Sequence, residues 1–365
     1  MEPVTYATAG VDVEAGDRAV ELMRAAVART HGPEVLGGIG GFAGLFDASA
    51  LLRYRRPLLA SSTDGVGTKL AVAQALGVHD TVGFDLVAMV VDDIVVCGAR
   101  PLFMTDYIAC GRVVPERIAA IVGGIAAACA QAGCALTGGE TAEHPGLMGE
   151  QEYDLAGAAV GVVEADDLLG PHRVRAGDAV LAMAASGLHS NGYSLVRRVL
   201  AGAGWGYERH VDELGRTLGE ELLEPTRVYA ADVVDLAARS GPALHAVSHV
   251  TGGGLAANLA RVLPRSLEAV VDRATWTPAP VFGLVARLGA VPRADLERTL
   301  NLGVGMVAVV DAAHADAALR HLAGRGVPAW QLGAVGAPRP ELGGEVTQGA
   351  KGVDGGGTRV VGEHP

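Results

Sequence analysis

The sequence lacks the features that mark several classes of protein. Its four cysteines form no C-x-x-C pair, so neither a zinc site nor a disulfide framework is indicated. Acidic residues outnumber basic ones by 41 to 29, and only two lysines occur, Lys69 and Lys351. No basic segment is interleaved with aromatic residues. These absences exclude nucleic acid as an expected partner.

Signals for export and for membrane insertion are also missing. The first ten residues contain neither a basic segment nor an apolar one, so we expect a cytoplasmic protein. The longest uncharged stretch, 118–139, is rich in alanine and glycine and includes Gln131. We interpret it as a buried helix followed by a strand, and we expect no membrane partner.

Hydrophobic residues and glycine are abundant. Half of the 365 residues are hydrophobic, which favours a packed globular protein over a disordered one. The 52 glycines are about twice the usual share. Many lie beside Asp, Glu, Asn or His, an arrangement that indicates backbone held close to ligands.

Strand and helix patterns alternate along the chain and predict an α/β (α+β) fold. Strands are expected at 57–62, 101–109 and 155–163, with helices at 80–97 and 115–131. A polar stretch, 164–178, separates this half from a second alternation that includes a helix at 226–238. We therefore predict domains at 1–165 and 166–343. The glycine-rich segment 344–365 is expected to be a flexible tail.

The most distinctive local feature is the segment 61–69, which reads SSTDGVGTK. It is not a P-loop, because the glycine and lysine spacing differs. Such a turn can present backbone N–H groups to a phosphate, with Lys69 as a point charge and Asp64 as a magnesium ligand. An ordinary surface turn is the alternative.

Three carboxylates share one face of the helix predicted at 80–97. Asp92 and Asp93 follow Asp85 by seven and eight residues, or about two helical turns. Buried like charges need cations, and Mg²⁺ held with a nucleotide would supply them. The alternative is that Asp92 and Asp93 project into solvent. Glu140, after the next apolar strand, adds another carboxylate.

Two further turns have phosphate-binding character. The segments 186–194 (SGLHSNGYS) and 249–254 (HVTGGG) each follow a strand and open a helix, which directs backbone N–H groups at a possible anion. Each is also consistent with a well-capped helix. Together with the acidic set, they favour binding of a magnesium–nucleotide and a phosphorylated substrate.

At these motifs the chain resembles the phosphoribosylformylglycinamidine cyclo-ligases, also called aminoimidazole ribonucleotide synthetases. The resemblance covers roughly residues 6–335. It rests on the segments YATAGVD (6–12), PEVLGGIGGF (33–42), TDGVGTK (63–69), GGETAE (138–143), HSNGYS (189–194) and NLGVGM (301–306).

The resemblance implies a homodimer in which N-terminal mixed sheets pair into a shared barrel, each backed by a C-terminal α/β sandwich domain. It also implies ATP and Mg²⁺. In the family's reaction, the formyl amide oxygen of formylglycinamidine ribonucleotide takes the γ-phosphoryl group of ATP. A substrate nitrogen then displaces phosphate as the imidazole ring closes.

The resemblance also implies roles for individual residues. The catalytic set is Asp64, Lys69, Asp93, Glu140 and His189, and the metal ligands are Asp64, Asp92, Asp93 and Glu140. Nucleotide-binding residues are Gly37, Gly38, Gly40, Gly41, Gly65, Gly67, Thr68 and Thr141, with residues 37–41 closing as a lid. Substrate-binding residues are Ser190, Asn191, Thr251, Gly252, Gly253, Gly254 and Asn301.

The sequence departs from the family at a few positions. Asp92 stands where many members have Asn, Cys97 where many have Gln, and Leu300 where Phe is common. Arg100 replaces the usual Glu before Pro101 and reverses a charge near the expected metal set. None of these changes removes a motif carboxylate.

Other ATP-using enzymes of the same superfamily fit less well. Selenide water dikinase uses a reactive cysteine near the N-terminus, and the hydrogenase-maturation dehydratase uses a terminal cysteine, whereas this sequence ends in GEHP. Thiamine-monophosphate kinase is a third alternative. A non-catalytic nucleotide sensor would leave the carboxylates idle.

Overall fold

A computed structural model describes residues 10–365, so residues 6–9 of the first family motif lie outside the described part. The N-terminal half contains α1 (Val13–Ala28), β1 (Val35–Leu36), β2 (Leu45–Phe46), β3 (Pro57–Gly65), α2 (Leu70–Leu76), α3 (Val82–Val95), β4 (Arg100–Cys110), α4 (Pro115–Ala132), β5 (Ala135–Glu143) and β6 (Tyr153–Glu164).

The N-terminal sheet is mixed and has the order β3-β6-β4-β5. Only the β4–β5 pair is parallel. Met104 and Ile108 alternate along β4 toward the face covered by α3 and α4, and both are fully buried. The opposite face carries the exposed side chains of Leu59 and Tyr107. Phe46 of β2 packs on this face against Phe103, with the ring centroids 5.3 Å apart, whereas the part of the face around Ala156 and Ala158 is exposed.

Helix α4 follows directly from its end signals. Pro115 occupies the first helical turn, where its missing N–H costs nothing. Gly133 ends the helix in the left-handed conformation at φ +67°. The apolar stretch expected to form a buried helix and strand is therefore α4 and β5, as predicted. No helix in residues 10–365 has the length and apolar character needed to span a bilayer.

The C-terminal half forms a second, larger sheet with helices around it. Its elements are β7 (Ala179–Ala184), α5 (Tyr193–Ala203), β8 (His210–Val211), β9 (Arg216–Thr217), α6 (Leu218–Leu222), α7 (Ala230–Ser240), β10 (Leu244–His249), α8 (Gly254–Ala260), β11 (Glu268–Asp272), α9 (Pro280–Gly289), α10 (Arg293–Thr299), β12 (Val304–Val310), α11 (Ala315–Gly324), β13 (Ala329–Gly336), β14 (Val346–Ala350) and β15 (Val353–Val361). The sheet order is β10-β12-β7-β13-β11-β15-β14. A mixed α/β architecture with one main sheet in each half is thus confirmed.

The expectation of a flexible tail after Gly343 is wrong. β15 pairs in parallel with β11 and antiparallel with β14, so it lies inside the sheet. Arg359 on β15 is 5% exposed, and its guanidinium forms a bidentate ion pair with Glu268 of β11. The glycine-rich composition suggested a flexible segment, but the glycines are needed here because neighbouring backbone lies too close for a side chain. A Cβ on Gly355 would lie 2.2 Å from the carbonyl oxygen of Ala260.

The helix expected at 226–238 begins later, at Ala230. Thr226 and Tyr229 donate backbone N–H groups to Asp85 and Asp92, two carboxylates of α3. Those bonds hold the approach to α7 in a non-helical path. The same bonds join the two halves, because the aspartates belong to the N-terminal half and Thr226 and Tyr229 belong to the C-terminal half. Helix α3 also packs against α7 and β10.

Candidate active site

A cleft of about 720 Å³ opens between α1, the sheet and the glycine-rich loop. The loop contributes Gly38, Gly40 and Gly41. β5 contributes Gly138, Gly139, Glu140 and Thr141. Gly37 and Gly40 have φ values of +83° and +107°, conformations that glycine adopts without strain. Five residues expected to bind nucleotide or metal therefore line one cleft.

Asp106 forms part of the wall of this cleft and was missed from the sequence. It lies on the β4 face that carries Met104 and Ile108, directly opposite Gly139 on β5. A Cβ on Gly139 would lie 2.0 Å from Asp106 Oδ1, so glycine makes room for the carboxyl. Burial raises the pKa of Asp106 to about 7. An acidic residue at a buried-face position of a strand was the available signal.

Glu143 positions the helix that forms the opposite wall of the cleft. Its Oε2 accepts from Asp12 N at 2.7 Å, and its Oε1 accepts from Val113 N at 2.6 Å. Asp12 in turn caps α1 by accepting from Ala15 N. Glu140, three residues earlier, is exposed and accepts only from the N–H of Thr141 among the described residues.

The two charged residues of the segment 61–69 lie apart, with Asp64 at the end of β3 and Lys69 in the turn that follows. Asp64 is exposed, and its Oδ1 accepts from Gly65 N at 2.8 Å. Lys69 is fully buried, with Nζ 2.7 Å from Asp85 Oδ1. Burial lowers the pKa of Lys69 and raises that of Asp85, while their attraction opposes both shifts.

Gly65 ends β3 directly after Asp64, and Gly67 and Thr68 lie in the turn that follows. Gly67 has a φ of +74°, and nothing lies within 4 Å of a Cβ built on it. Thr68 is exposed and shares a hydrogen bond of 3.1 Å with Ser194 of the C-terminal half. The turn therefore lies against the second half, away from the cleft lined by Glu140.

The three aspartates of α3 share one face of the helix, as their spacing predicted. That face lies against the C-terminal half, and the partners of the aspartates differ from the expected cation. Asp85 pairs with Lys69, and both oxygens of Asp92 accept from Tyr229 N at 3.1 Å. Burial raises the pKa of Asp92 to about 7. Asp93 remains 43% exposed, with Oδ1 2.9 Å from His249 Nδ1.

His189 lies at the centre of the turn between β7 and α5. It is 1% exposed and has a φ of +61°, a strained value for a residue other than glycine. Its Nε2 accepts from Ser186 N at 3.1 Å, which places the proton on Nδ1. Burial, together with the nearby cations, lowers the pKa of His189 well below its usual value. The imidazole is therefore neutral.

Several residues expected to bind substrate meet at this domain boundary. Ser190 Oγ donates to the carbonyl of Val66 at 2.7 Å, which joins the turn at 186–191 to the turn carrying Asp64. Asn191 Oδ1 lies 3.4 Å from the Cβ position of Gly252. The structure thus brings Ser190, Asn191 and Gly252 together beside α3, where Asn191 Nδ2 lies 3.4 Å from Met89 Sδ.

The remaining expected substrate residues lie nearby and have backbone roles. Asn258 Nδ2 donates to the carbonyls of Thr251 and Gly254, which fixes the glycine turn. A Cβ on Gly254 would lie 1.7 Å from the carbonyl oxygen of Glu297, and Gly253 has a φ of +108°. Asn301 donates to the carbonyl of Gly187 and accepts from Gly303 N, so it braces the turn that carries His189.

The four expected metal ligands do not form one site in this chain. Asp64 and Glu140 lie on strands with β6 and β4 between them, about 14 Å apart at the usual strand spacing. Asp92 is fully buried and accepts from Tyr229 N with both oxygens, so this carboxylate is not open to an incoming ion. In the described part of the chain no three His, Cys, Asp or Glu side chains are grouped to hold an ion. Asp64, Asp93 and Glu140 remain accessible to Mg²⁺ carried by a nucleotide.

Arg100 lies away from the cleft. It is exposed and begins β4, six residues before Asp106, which is about 20 Å along an extended strand. The reversed charge therefore does not face the cleft carboxylates.

Both halves of the chain match known protein families. The profile described as "AIR synthase related protein, N-terminal domain" matches residues 46–163, and the corresponding C-terminal domain profile matches residues 175–343. A phosphoribosylformylglycinamidine cyclo-ligase of Sorangium cellulosum is 53% identical over 333 residues, covering 91% of this chain and 95% of the relative. The chain belongs to the phosphoribosylformylglycinamidine cyclo-ligase family. It is a ligase.

Other cyclo-ligases are similar to the same extent. One from Anaeromyxobacter dehalogenans is 52% identical over 341 residues and covers 92% of this chain and 97% of its own length. Among solved structures, thiamine-monophosphate kinase of Stenotrophomonas maltophilia has a TM-score of 0.65 at 20% identity, covering 95% of this chain and 97% of that one. Hydrogenase maturation protein HypE in complex with ATP has a TM-score of 0.61 at 20% identity, covering 96% and 93%. The cyclo-ligase family shares its fold with these proteins.

Proposed function

We propose that this chain closes the imidazole ring of 5-aminoimidazole ribonucleotide in de novo purine biosynthesis, using formylglycinamidine ribonucleotide and ATP and releasing ADP and phosphate. The observation that carries the proposal is identity near 50% along nine-tenths of the chain with relatives named for this reaction. The motif carboxylates Asp64, Asp93 and Glu140 are all present.

The proposed chemistry has two steps. The formyl amide oxygen attacks the γ-phosphorus of ATP, and ADP leaves. The amidine nitrogen then attacks the activated formyl carbon, the bond from that carbon to the phosphorylated oxygen breaks, and phosphate departs as the nitrogen loses a proton. Phosphorylation turns a poor leaving group into a good one, so the protein needs to supply mainly positioning and charge neutralisation.

The cleft between α1 and β5 is the proposed nucleotide site. Gly38, Gly40 and Gly41 would lie over the phosphates, and closure of residues 37–41 would exclude water. Thr141 and Glu140 form the facing wall. Mg²⁺ bound with the nucleotide would neutralise phosphate charge, with Glu140, Asp64 and Asp93 as candidate ligands.

The turns at the domain boundary are the proposed substrate site. Ser190, Asn191 and Gly252 are brought together there, and a phosphoribosyl substrate offers the anion that such turns bind. Neutral His189 carries its proton on Nδ1, which has no partner among the described side chains although it is buried. That N–H would donate a hydrogen bond to the substrate rather than bind it as a cation.

We also propose a homodimer formed through the uncovered face of the N-terminal sheet. The alanines Ala156 and Ala158 on β6 are exposed on this face between Leu59 and Tyr107. Pairing two such faces would give the barrel that the family resemblance implies. The proposed domains are residues 1–165 and the remainder of the chain, and the proposed location is the cytoplasm.

The function is tested with purified protein, Mg-ATP and formylglycinamidine ribonucleotide. Aminoimidazole product is followed by diazo coupling, and ADP is measured in parallel. We expect equal amounts of both products, and a loss of at least about a hundredfold in Asp64→Asn, as for removal of a catalytic charge contact. Asp212→Asn, at a fully exposed carboxylate, is the matched control and should retain activity. ADP without aminoimidazole would contradict the proposal.

A further inference from the structure

Lys69 has no N–H left for a ligand. Its side chain is fully buried, and Nζ lies 2.7 Å from Asp85 Oδ1, 2.7 Å from the carbonyl oxygen of Glu224 and 3.2 Å from the carbonyl oxygen of His189. An ammonium group has three donors, and these three acceptors use all of them. The lysine of the glycine-rich turn is therefore committed to contacts within the protein.

The three acceptors come from different parts of the fold. Asp85 belongs to α3 of the N-terminal half, whereas His189 and Glu224 belong to two turns of the C-terminal half. Asp85 Oδ1 also accepts from Thr226 N at 3.1 Å and from Thr226 Oγ1 at 2.5 Å. The Lys69–Asp85 pair thus fastens the turns 186–191 and 224–229 to the N-terminal domain.

The contact with His189 matters because the backbone there is strained. A left-handed φ of +61° is strained in a residue with a Cβ, so neighbouring contacts must hold it. Lys69 holds its carbonyl, and the bond from Ser186 N to Nε2 holds its ring. These two hydrogen bonds together fix the orientation of the imidazole.

We propose that Lys69 is a positioning residue that holds the left-handed His189 turn against the N-terminal domain, and that it is not a phosphate ligand. The inference rests on the proposed function only for its kinetic consequence. Loss of the clamp would misplace His189, Ser190 and Asn191 relative to Asp64, so kcat would fall while the KM for ATP would change little.

The test uses the double variant Lys69→Met/Asp85→Asn, which removes both buried charges. The amide oxygen at position 85 can still accept from Thr226, so no buried charge is left unpaired. Arg359→Met/Glu268→Gln is the matched control, because it neutralises another deeply buried pair, which lies in the C-terminal sheet. Hydrogen exchange of peptides spanning 186–191 and 224–229 is compared with calorimetric binding of Mg-ATP.

In the Lys69→Met/Asp85→Asn variant we expect exchange in both turns to accelerate about tenfold or more, the effect of losing charge-assisted hydrogen bonds. The dissociation constant for Mg-ATP should stay within about threefold, a difference below 1 kcal/mol. The control pair should leave exchange in these turns unchanged. The proposal would be overturned if hydrogen exchange in the turns 186–191 and 224–229 were unchanged in the double variant. It would also be overturned if the variant bound Mg-ATP tenfold or more weakly than wild type.

Thr226→Val provides a second variant if the double substitution prevents folding. It removes only the hydroxyl bond to Asp85 and should accelerate exchange in 224–229, whereas unchanged exchange there would contradict the clamp. Exchange does not depend on the identity of the substrate. A wild-type protein without cyclo-ligase turnover would therefore refute the proposed function while the exchange result still decides the role of Lys69.

Discussion

At the scale of single residues, Asp106 combines a buried position with an ionisable group. Burial raises the pKa of Asp106 to about 7 in the folded chain, against about 3.9 when unfolded. The folded state therefore holds a proton that the unfolded state releases between these values. The Asp106 carboxyl group therefore contributes to the free energy of unfolding below about pH 4, and this contribution is lost as the pH rises to about 7.

Asp106→Asn should remove this pH dependence. We expect the melting temperature of the variant, relative to wild type, to rise steadily between pH 4 and pH 7.5, because the amide stays neutral throughout. Scanning calorimetry across that range provides the measurement, with Asp154→Asn, at an exposed position of β6, as the control. A constant difference between variant and wild type would contradict the assignment.

The sequence indicated some residues of the candidate site and missed others for a definable reason. Asp64 stands at the end of a strand and the glycines of the loop stand in a turn, positions where residue type alone indicates a possible ligand contact. Lys69 carried the same signal, but its side chain turns inward because Asp85 and two carbonyls from distant segments receive it. Local spacing contains no information on such acceptors.

At the scale of secondary-structure elements, α3 and α4 approach closely through glycine. A Cβ on Gly83 would lie 2.1 Å from Ile125 N, and one on Gly124 would lie 2.0 Å from the carbonyl oxygen of Asp80. Both contacts are with backbone, which cannot rotate away. The two helices can therefore pack at this distance only without side chains at these positions.

Gly124→Ala should destabilise the protein, and Gly123→Ala should not. The first forces apart two packed helices, at a cost of about 1–3 kcal/mol. The second adds a methyl group to the same helix with nothing within 4 Å, and the higher helix propensity of alanine stabilises by up to about 1 kcal/mol. Urea denaturation of both variants measures the difference, and equal effects would refute the packing argument.

The buried ion pair between β11 and β15 gives a prediction about the C-terminal segment. Arg359→Met leaves the Glu268 carboxylate buried without its partner, so the melting temperature should fall. Adding Glu268→Gln removes the unpaired charge and should restore much of the loss. Thermal unfolding of wild type, single and double variants tests this. A double variant no more stable than the single one would show that packing, not charge, dominates.

Elements with strong end signals were predictable, and those fixed by distant contacts were not. Pro115 and Gly133 mark α4 at both ends. By contrast, β15 is a strand because β11 and β14 lie on either side of it, and Gly355 and Gly356 fit where neighbouring backbone approaches closely. Glycine content alone indicated a loose tail.

At the scale of the whole molecule, the uncovered face of the N-terminal sheet is the surface on which the dimer proposal depends. Ala158→Arg would place a charge in the middle of that face, on the strand between β3 and β4. Light scattering should give the mass of two chains for wild type and of one chain for the variant. Asp212→Arg, at a fully exposed carboxylate of the C-terminal half, is the control. A wild-type monomer would refute the dimer.

The order of the strands in the large sheet also bears on biosynthesis. β15 lies between β11 and β14 in the sheet, although it follows β11 only after a long stretch of chain. Until β15 has been synthesised, β11 is an edge strand with unpaired backbone groups. The N-terminal domain can therefore fold during translation before the C-terminal sheet is complete.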